Sequence, residues 1–570
     1  MPKSDLVLLH APSVYDFRKE TILYGPVSDL VPPSPVFELY PIGITSIAAY
    51  LEKAGYRVRI VNLAVRMLKD KNFNAETMIK RLEAPVFGID LHWMVHCHGA
   101  IEVARLVKKH HPEARVVFGG LSSSYFYKEL MEYPEIDYVL RGDTTEEPMR
   151  QLMEIIKRGA EPEAVPNLVW RGSQGKVREN PLSHVPTELS DVLVDYYSNI
   201  IRSVIRDRDL SSYIPFKDWL RYPITAVLTC RGCNENCVIC GASATAFRKS
   251  FNRPQIATRP PELVVQDVKQ IELFSKGPIF ILGDLCYSGE DYAYELLRLL
   301  QKKKIKNQLI FELFTPVSRD ILHQMSLASR KFCLEISPES HDPEIRRAAG
   351  RNYSAESLEQ TVGDALDVGC GRLDVFFLIG LPKQTSESVM ENIDYCDNLL
   401  KKFNGDKRLS FFISPLSPFI DPGSLGFEQP ERYGYHILFR TLKEHRQALL
   451  SPSWKYSLNY ETDWMTRDQI ADTAYEAILR LNRVKARHGV ISRQMAEASE
   501  RRIKAASEMM HRIDSILSSD NPQEQLVRLK PEIDRINMFP VSEKIQLELP
   551  VGLVNFRPLR TFWAWLTGQW

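Results

Sequence analysis

Four of the nine cysteines fall within eleven residues, in Thr229-Cys-Arg-Gly-Cys-Asn-Glu-Asn-Cys-Val-Ile-Cys-Gly241. Thiolates are soft ligands that suit zinc and iron–sulfur clusters alike. Two spacings can be drawn. One is C-x3-C-x2-C, using Cys233, Cys237 and Cys240; the other adds Cys230 in front. A structural zinc site takes its ligands as two pairs separated by a longer span, so that the chain folds around the metal. Here the thiols are packed together without that span. Three thiolates on one loop leave one iron of a cluster open, and an open iron takes an exogenous ligand. Cys230 is then either a strand-end thiol packed nearby or a fourth ligand, and an open iron favours the first. The other five cysteines (Cys97, Cys286, Cys333, Cys370 and Cys396) are scattered, so no disulfide framework is expected.

The surrounding chain has 570 residues, which implies several domains. Hydrophobic residues make up 44% and charged residues 25%, a soluble globular balance that excludes collagen-like, mucin-like and largely disordered classes. The formal charge is +1, from 73 basic and 72 acidic side chains, so no nucleic-acid partner is expected. There is no apolar run of the roughly 18 residues a membrane-spanning helix needs. Met1 to Val7 does not read as a signal peptide, and the expected compartment is the cytoplasm.

The elements around the cysteines follow a βα rhythm. Over residues 1–160, short apolar runs at Leu6–His10, Tyr56–Asn62, Val86–Asp90, Arg115–Phe118 and Asp137–Leu140 alternate with helical patterns at Ile42–Lys53 and Ala100–Lys109. That predicts a parallel sheet covered by helices. Residues 161–222 read as a connector, rich in Pro, Ser, Asn and charge, that wraps the surface or meets substrate. From 223 to 428, six strand candidates begin at Ile224–Thr229, each followed by a helical pattern, and predict an incomplete βα barrel with chemistry at its C-terminal mouth. Residues 429–570 turn mainly helical. Ala496, Ser499, Ile503, Ala506, Met510, Ile513 and Leu517 lie on one face of a long helix, to be read as a core-packing face or a docking face.

C-x3-C-x2-C directly after the first strand of a βα barrel resembles the radical S-adenosylmethionine superfamily. The resemblance implies that Cys233, Cys237 and Cys240 hold a 4Fe–4S cluster, whose open iron chelates S-adenosylmethionine through its amino and carboxylate groups. Ile239 stands where the family often has an aromatic. Leu282-Gly283-Asp284 looks like the element that accepts the methionine ammonium. Leu334-Glu-Ile-Ser-Pro-Glu-Ser340 looks like the ribose-contacting segment, which makes Glu335, Ser337 and Glu339 candidates. Gly350-Arg351-Asn-Tyr-Ser354 resembles the arginine segment that pairs with the methionine carboxylate, and Leu378-Ile-Gly-Leu-Pro382 the adenine-side turn.

A Rossmann-like unit ahead of such a barrel resembles the cobalamin-binding class of the superfamily, over roughly residues 1–425. The matching segments are Pro41-Ile-Gly43-Ile-Thr-Ser-Ile-Ala-Ala-Tyr-Leu51, Val117-Phe-Gly119-Gly120-Leu-Ser122-Ser123, and Arg141-Gly142-Asp143 with Glu146-Glu147. They imply cobalamin contacts at Gly43, Gly119, Gly120, Ser122, Gly142 and Asp143. The family's D-x-H-x-x-G motif is absent after the first strand. Asp90-Leu-His92 is a near miss after the third, read as a loop at the sheet edge, so a base-off cobalamin without a histidine ligand is expected. His92, His96, Cys97 and His98 are read as polar contacts at the ligand mouth rather than a metal site. The expected fold is α/β: a Rossmann-like cobalamin-binding domain, a partial (β/α)6 TIM-type radical barrel and a helical C-terminal region.

The resemblance implies methylation of an unactivated carbon, with an electron donor such as flavodoxin or ferredoxin and a small-molecule or lipid substrate. Coupling, cyclisation or rearrangement, with or without cobalamin, is the alternative within the superfamily. A cobalamin sensor or a zinc-stabilised scaffold is the alternative outside it. Arg557, Arg560, Phe562, Trp563, Trp565, Leu566 and Trp570 form an aromatic, basic tail that either docks back on the protein or makes peripheral membrane contact.

Overall fold

The structure is a computed structural model that describes residues 3–26, 34, 36–172, 175–192, 197–329, 332–538, 546, 548, 549, 555–557, 560, 563 and 567. The front domain is built on β1 (Leu6–His10), β2 (Val58–Asn62), β3 (Val86–Asp90), β4 (Arg115–Gly119) and β5 (Tyr138–Leu140), all parallel, in the order 2-1-3-4-5. Period-two alternation sends Leu6 and Leu8 to a core with helices Ile42–Lys53 and Glu146–Arg158, and Val7 and Leu9 to a core with helix Cys97–His110 on the other face. Burial on both faces is why these strands read as unbroken apolar runs. Because β1 has β2 on one side and β3 on the other, the chain reverses direction there. The crevice beyond the carboxyl ends of β1 and β3 is the natural ligand position.

Two features differ from the expectations. The connector begins later than residue 161, because β6 (Leu168–Arg171) extends the front sheet antiparallel to β5 and β7 (Val177–Glu179) pairs antiparallel with β6. They have four and three residues, with β7 at the edge, and are too short to show periodicity. The loop after β3 lies at the centre of the sheet, not its edge; sequence order does not reveal strand order.

The second sheet is fully parallel. It runs from β8 (Thr225–Leu228) through β9 (Ile279–Leu282), β10 (Leu309–Leu313), β11 (Cys333–Glu339) and β12 (Arg372–Ile379) to β13 (Leu409–Pro415). β8 and β13 do not pair, so the barrel stays open. Helix Arg467–Arg487 packs on β13 and on helix Ser386–Lys402 beside that gap. Its buried Lys485 donates to the Gln546 side chain. In helix Arg493–Leu517 the face carrying Ala496, Ser499, Ile503, Ala506, Met510 and Ile513 is buried, the core-packing reading; Leu517 is exposed. Part of the tail docks: Asn555 donates to Arg221 O, the Phe556 ring lies 5.6 Å from Trp219, and Arg557 N donates to Phe274 O. Arg560 and Trp563 are exposed, whereas Phe562, Trp565, Leu566 and Trp570 lie outside the described residues. Among the described residues no helix is long and apolar enough to cross a membrane.

Candidate active site between the two sheets

The cysteine loop leaves the carboxyl end of β8 and is pinned by backbone bonds. Val238 N donates to Ala349 O, Gly426 N to Val238 O, and Gly241 N to the Asp421 carboxylate. A Cβ on Gly350 would stand 2.5 Å from Asn236 O, so the glycine ahead of Arg351 lets that segment press against the loop. Backbone amides of Glu235 and Ala242 point at the sulfurs of Cys233 and Cys240, each at 3.4 Å. Burial pushes the Cys237 thiol up to about 12, and Arg351 opposes that shift. The loop needs positive charge to hold thiolates, which cluster irons provide. Among the described residues, no three His, Cys, Asp or Glu side chains close tightly enough to hold one metal ion. A cubane with its ligated irons at separate corners takes a wider ring of thiols than one zinc ion does. The Cys230 sulfur would stand 3.1 Å from a Cβ at Gly283, whose φ is +88°, and Cys233 also bears on its charge.

Near the mouth, Arg351 donates to Glu339 (3.3 Å) and to Phe314 O (3.1 Å), with its guanidinium over the Phe314 ring. The hydroxyls of Tyr287 and Tyr353 and one oxygen of Glu339 are buried without partners. These are the open polar valences a zwitterionic ligand would satisfy. Asp284, the expected ammonium acceptor, accepts the backbone N–H groups of Cys286 and Phe314 through its two oxygens (both 2.9 Å). The sequence shows an acid after a glycine but not that Phe314, 30 residues away, shares it with Cys286. Leu378 follows the register of Asp374 on its strand, whereas Ser337 lies where the β11 ladder shifts register, between Ile336 and Glu339.

In the front domain the glycines divide. A Cβ at Gly43 would meet nothing within 4 Å, and at Gly119 only Leu140 O at 4.0 Å. Both border open space. Gly120 has φ +116°, and a Cβ there would lie 2.6 Å from His92 Cα, so it serves close packing of the β3 loop. Ser122 donates to His92 O. Gly142 N donates to Ser124 Oγ, and the Asp143 carboxylate is gripped by Arg253. Asp143 therefore clasps the barrel, as Glu146 does through Arg231 (2.6 and 3.0 Å) and Ser46 (2.5 Å). His10 lies 2.9 Å from Asp90, the His10 and His96 rings share Phe37 O, and His98 accepts from Tyr15 N. That is the polar-contact reading of this group. His92 borders the crevice, and burial lowers its pKa to about 4, holding it neutral.

One cavity of about 680 Å³ joins the two sheets. Gly43, Gly119, Gly120, Gly142 and Asp143 line one end, and Cys233, Cys240 and Gly283 the other. Its walls are largely apolar, and the connector supplies Ile200, Pro215, Phe216 and Trp219. Sequence reasoning missed those residues, and also Arg231 and Arg253, whose partners are 85 and 110 residues away. It missed Glu312 as well, although a lone acid inside Leu309-Ile-Phe-Glu-Leu-Phe314 was a usable signal. The apolar crevice with bare glycines fits a large planar group, and the buried thiol loop fits a cluster.

Comparisons with known proteins agree with this geometry. Residues 34–151 match the family model of the B12 binding domain, and residues 227–396 that of the radical SAM superfamily. The chain is 24% identical over 300 residues to the hopanoid C-3 methylase of Methylococcus capsulatus, covering 50% of each chain, so it spans half the length of that relative. It is 22% identical over 486 residues to the cytidylyl-2-hydroxyethylphosphonate methyltransferase of Streptomyces wedmorensis, covering 74% of this chain and 86% of that one. Among solved structures, it superposes on the radical S-adenosylmethionine methyltransferase TsrM of Kitasatospora setae with a TM-score of 0.55 at 17% identity, over 77% of this chain and 81% of that one. It superposes on the cobalamin-dependent S-adenosylmethionine radical enzyme OxsB with a TM-score of 0.51 at 13% identity, over 94% and 72%.

Proposed function

We propose, for a chain that belongs to the radical SAM superfamily and carries a B12 binding domain, that it methylates an unactivated carbon of a small-molecule substrate. The observation that carries this reading is a cavity running from the bare glycines of the front sheet to the cysteine loop of the barrel. With both groups bound, the cluster supplies the electron that cleaves S-adenosylmethionine to a 5′-deoxyadenosyl radical, and cobalamin supplies the methyl group. The protein's part is placement. Cys233, Cys237 and Cys240 would hold three irons, leaving one corner open. Arg351, steadied by Glu339 and Phe314 O, offers a fixed cation for a carboxylate. Gly43 and Gly119 would lie under the corrin, with Trp93 and His92 on the loop beside it. Apolar walls keep water from a carbon radical. A flavodoxin- or ferredoxin-type donor would supply electrons, and a lipid substrate is compatible with those walls.

The test is anaerobic turnover of reconstituted protein with S-adenosylmethionine and a strong reductant. Formation of 5′-deoxyadenosine together with S-adenosylhomocysteine is the expected result. Deoxyadenosine without S-adenosylhomocysteine would keep the radical step and remove methyl transfer; neither product would sink the reading.

A further inference from the structure

The barrel lumen holds a row of acids, of which only Glu335 was given a role above, as a ribose-contacting candidate. Glu312 on β10, Glu335 on β11 and Asp374 on β12 are cross-strand neighbours in register, followed by Ser410 on β13. Phe311 and Leu313, on either side of Glu312, are buried in the barrel core. Alternation therefore turns the acids inward.

The three are not equivalent. Asp374 is paired: Arg372 Nε lies 2.8 Å from each of its oxygens. Glu312 accepts one hydrogen bond, from Gly283 N at 3.1 Å. Glu335 is 7% exposed, and its Oε2 is buried with no partner. Burial, then Asp374 and Glu312, raise the Glu335 pKa, and Glu312 is pushed up to about 7, chiefly by burial. The nearby cations are committed elsewhere. Arg372 also donates to Glu548 O and Gln546 O, Arg351 holds Glu339, and Lys485 donates to Phe411 O and Gln546. A buried carboxyl pair with one donor, the Gly283 amide, and an unpartnered Glu335 oxygen has acceptor capacity left for a ligand.

Glu335 precedes Glu339, the partner of Arg351, by four residues of β11, and the ladder shifts register between Ile336 and Glu339. Gly283 joins the row to the cavity, since it lines that space and donates to Glu312. The walls leading there are apolar, with Leu228, Phe280 and Leu282 among them.

Resting on the proposed radical chemistry, we infer that Glu335 and Glu312 form a substrate subsite for a protonated amine carried on an apolar body. The ammonium donates to both carboxylates and offsets their mutual repulsion. The apolar part lies along the cavity towards the front domain, where the reacting carbon is presented.

The test is calorimetric titration of the cluster- and cobalamin-loaded protein with n-octylamine and n-octanol. S-adenosylmethionine is kept saturating, so that the site for its own ammonium is filled. The amine should bind at least tenfold more tightly than the alcohol, and E335Q and E312Q should each abolish that preference. Equal binding of amine and alcohol by the parent, or a preference that survives in both variants, would overturn the subsite. A tenfold loss of S-adenosylmethionine affinity in E335Q, with no amine preference in the parent, would assign the acids to that nucleoside and also overturn it. Amine preference is read without turnover, so absence of S-adenosylmethionine cleavage in the same preparation counts against the proposed function alone.

Discussion

The thiols of the 230–240 loop have different surroundings, and those surroundings set their roles. Cys230 lies against Gly283 and feels Cys233, whereas Cys240 is influenced by both Cys233 and Cys237. Cys230→Ala should therefore keep the iron content and brown colour of the parent. Cys237→Ala should lose most of the iron, as measured by elemental analysis after anaerobic reconstitution. Glu312 gives a pH signature. Its folded pKa of about 7 lies above the ordinary carboxylate value, so the folded state holds a proton that the unfolded state releases earlier. The stability of the ligand-free protein should fall as pH rises from about 4.5 to 7 on this account. Glu312→Gln should remove that part of the slope, raising the thermal midpoint at pH 8 and leaving it nearly unchanged at pH 5. The full shift corresponds to roughly 3–4 kcal/mol. Gly120→Ala combines a positive φ with a Cβ 2.6 Å from His92 Cα, so a loss of about 2–4 kcal/mol is expected by chemical denaturation of the front domain.

At the scale of elements, buried ion pairs join the front sheet to the barrel. Arg231 and Glu146 are almost completely buried, as are Arg253 and Asp143. Removing one partner strands a charge, at a cost of about 3–5 kcal/mol, whereas removing both is much cheaper. Arg231→Met should thus lower the thermal midpoint and speed protease cleavage in the connector. Adding Glu146→Leu should recover part of the loss; no recovery would mean that the pair does not act as a unit. The elements themselves were largely legible in the sequence. Leu6–His10 and Ile279–Leu282 were read with the boundaries they have, because strands buried on both faces are short apolar runs bounded by polar residues. What stayed hidden depends on contacts distant in sequence. Strand order put the Asp90–His92 loop at the centre of the sheet, and partners far along the chain turned Asp143 into a clasp. Short strands carried too little pattern to extend the front domain to Glu179.

At the scale of the whole molecule, neither domain contains the cavity alone. The front sheet offers glycines facing open space, the barrel offers three thiols, and the connector closes a wall with Phe216 and Trp219. This arrangement requires that one chain hold a cluster and a cobalamin together, in fixed proportion. The most direct measurement is elemental and cofactor analysis of protein purified without oxygen and reconstituted with iron, sulfide and hydroxocobalamin. Iron, sulfide, zinc and cobalt are counted per chain, with the visible spectrum recorded alongside. About four irons and one cobalt per chain are expected. Iron without cobalt would contradict the joint cavity, and zinc in place of iron would contradict the cluster on which the account rests.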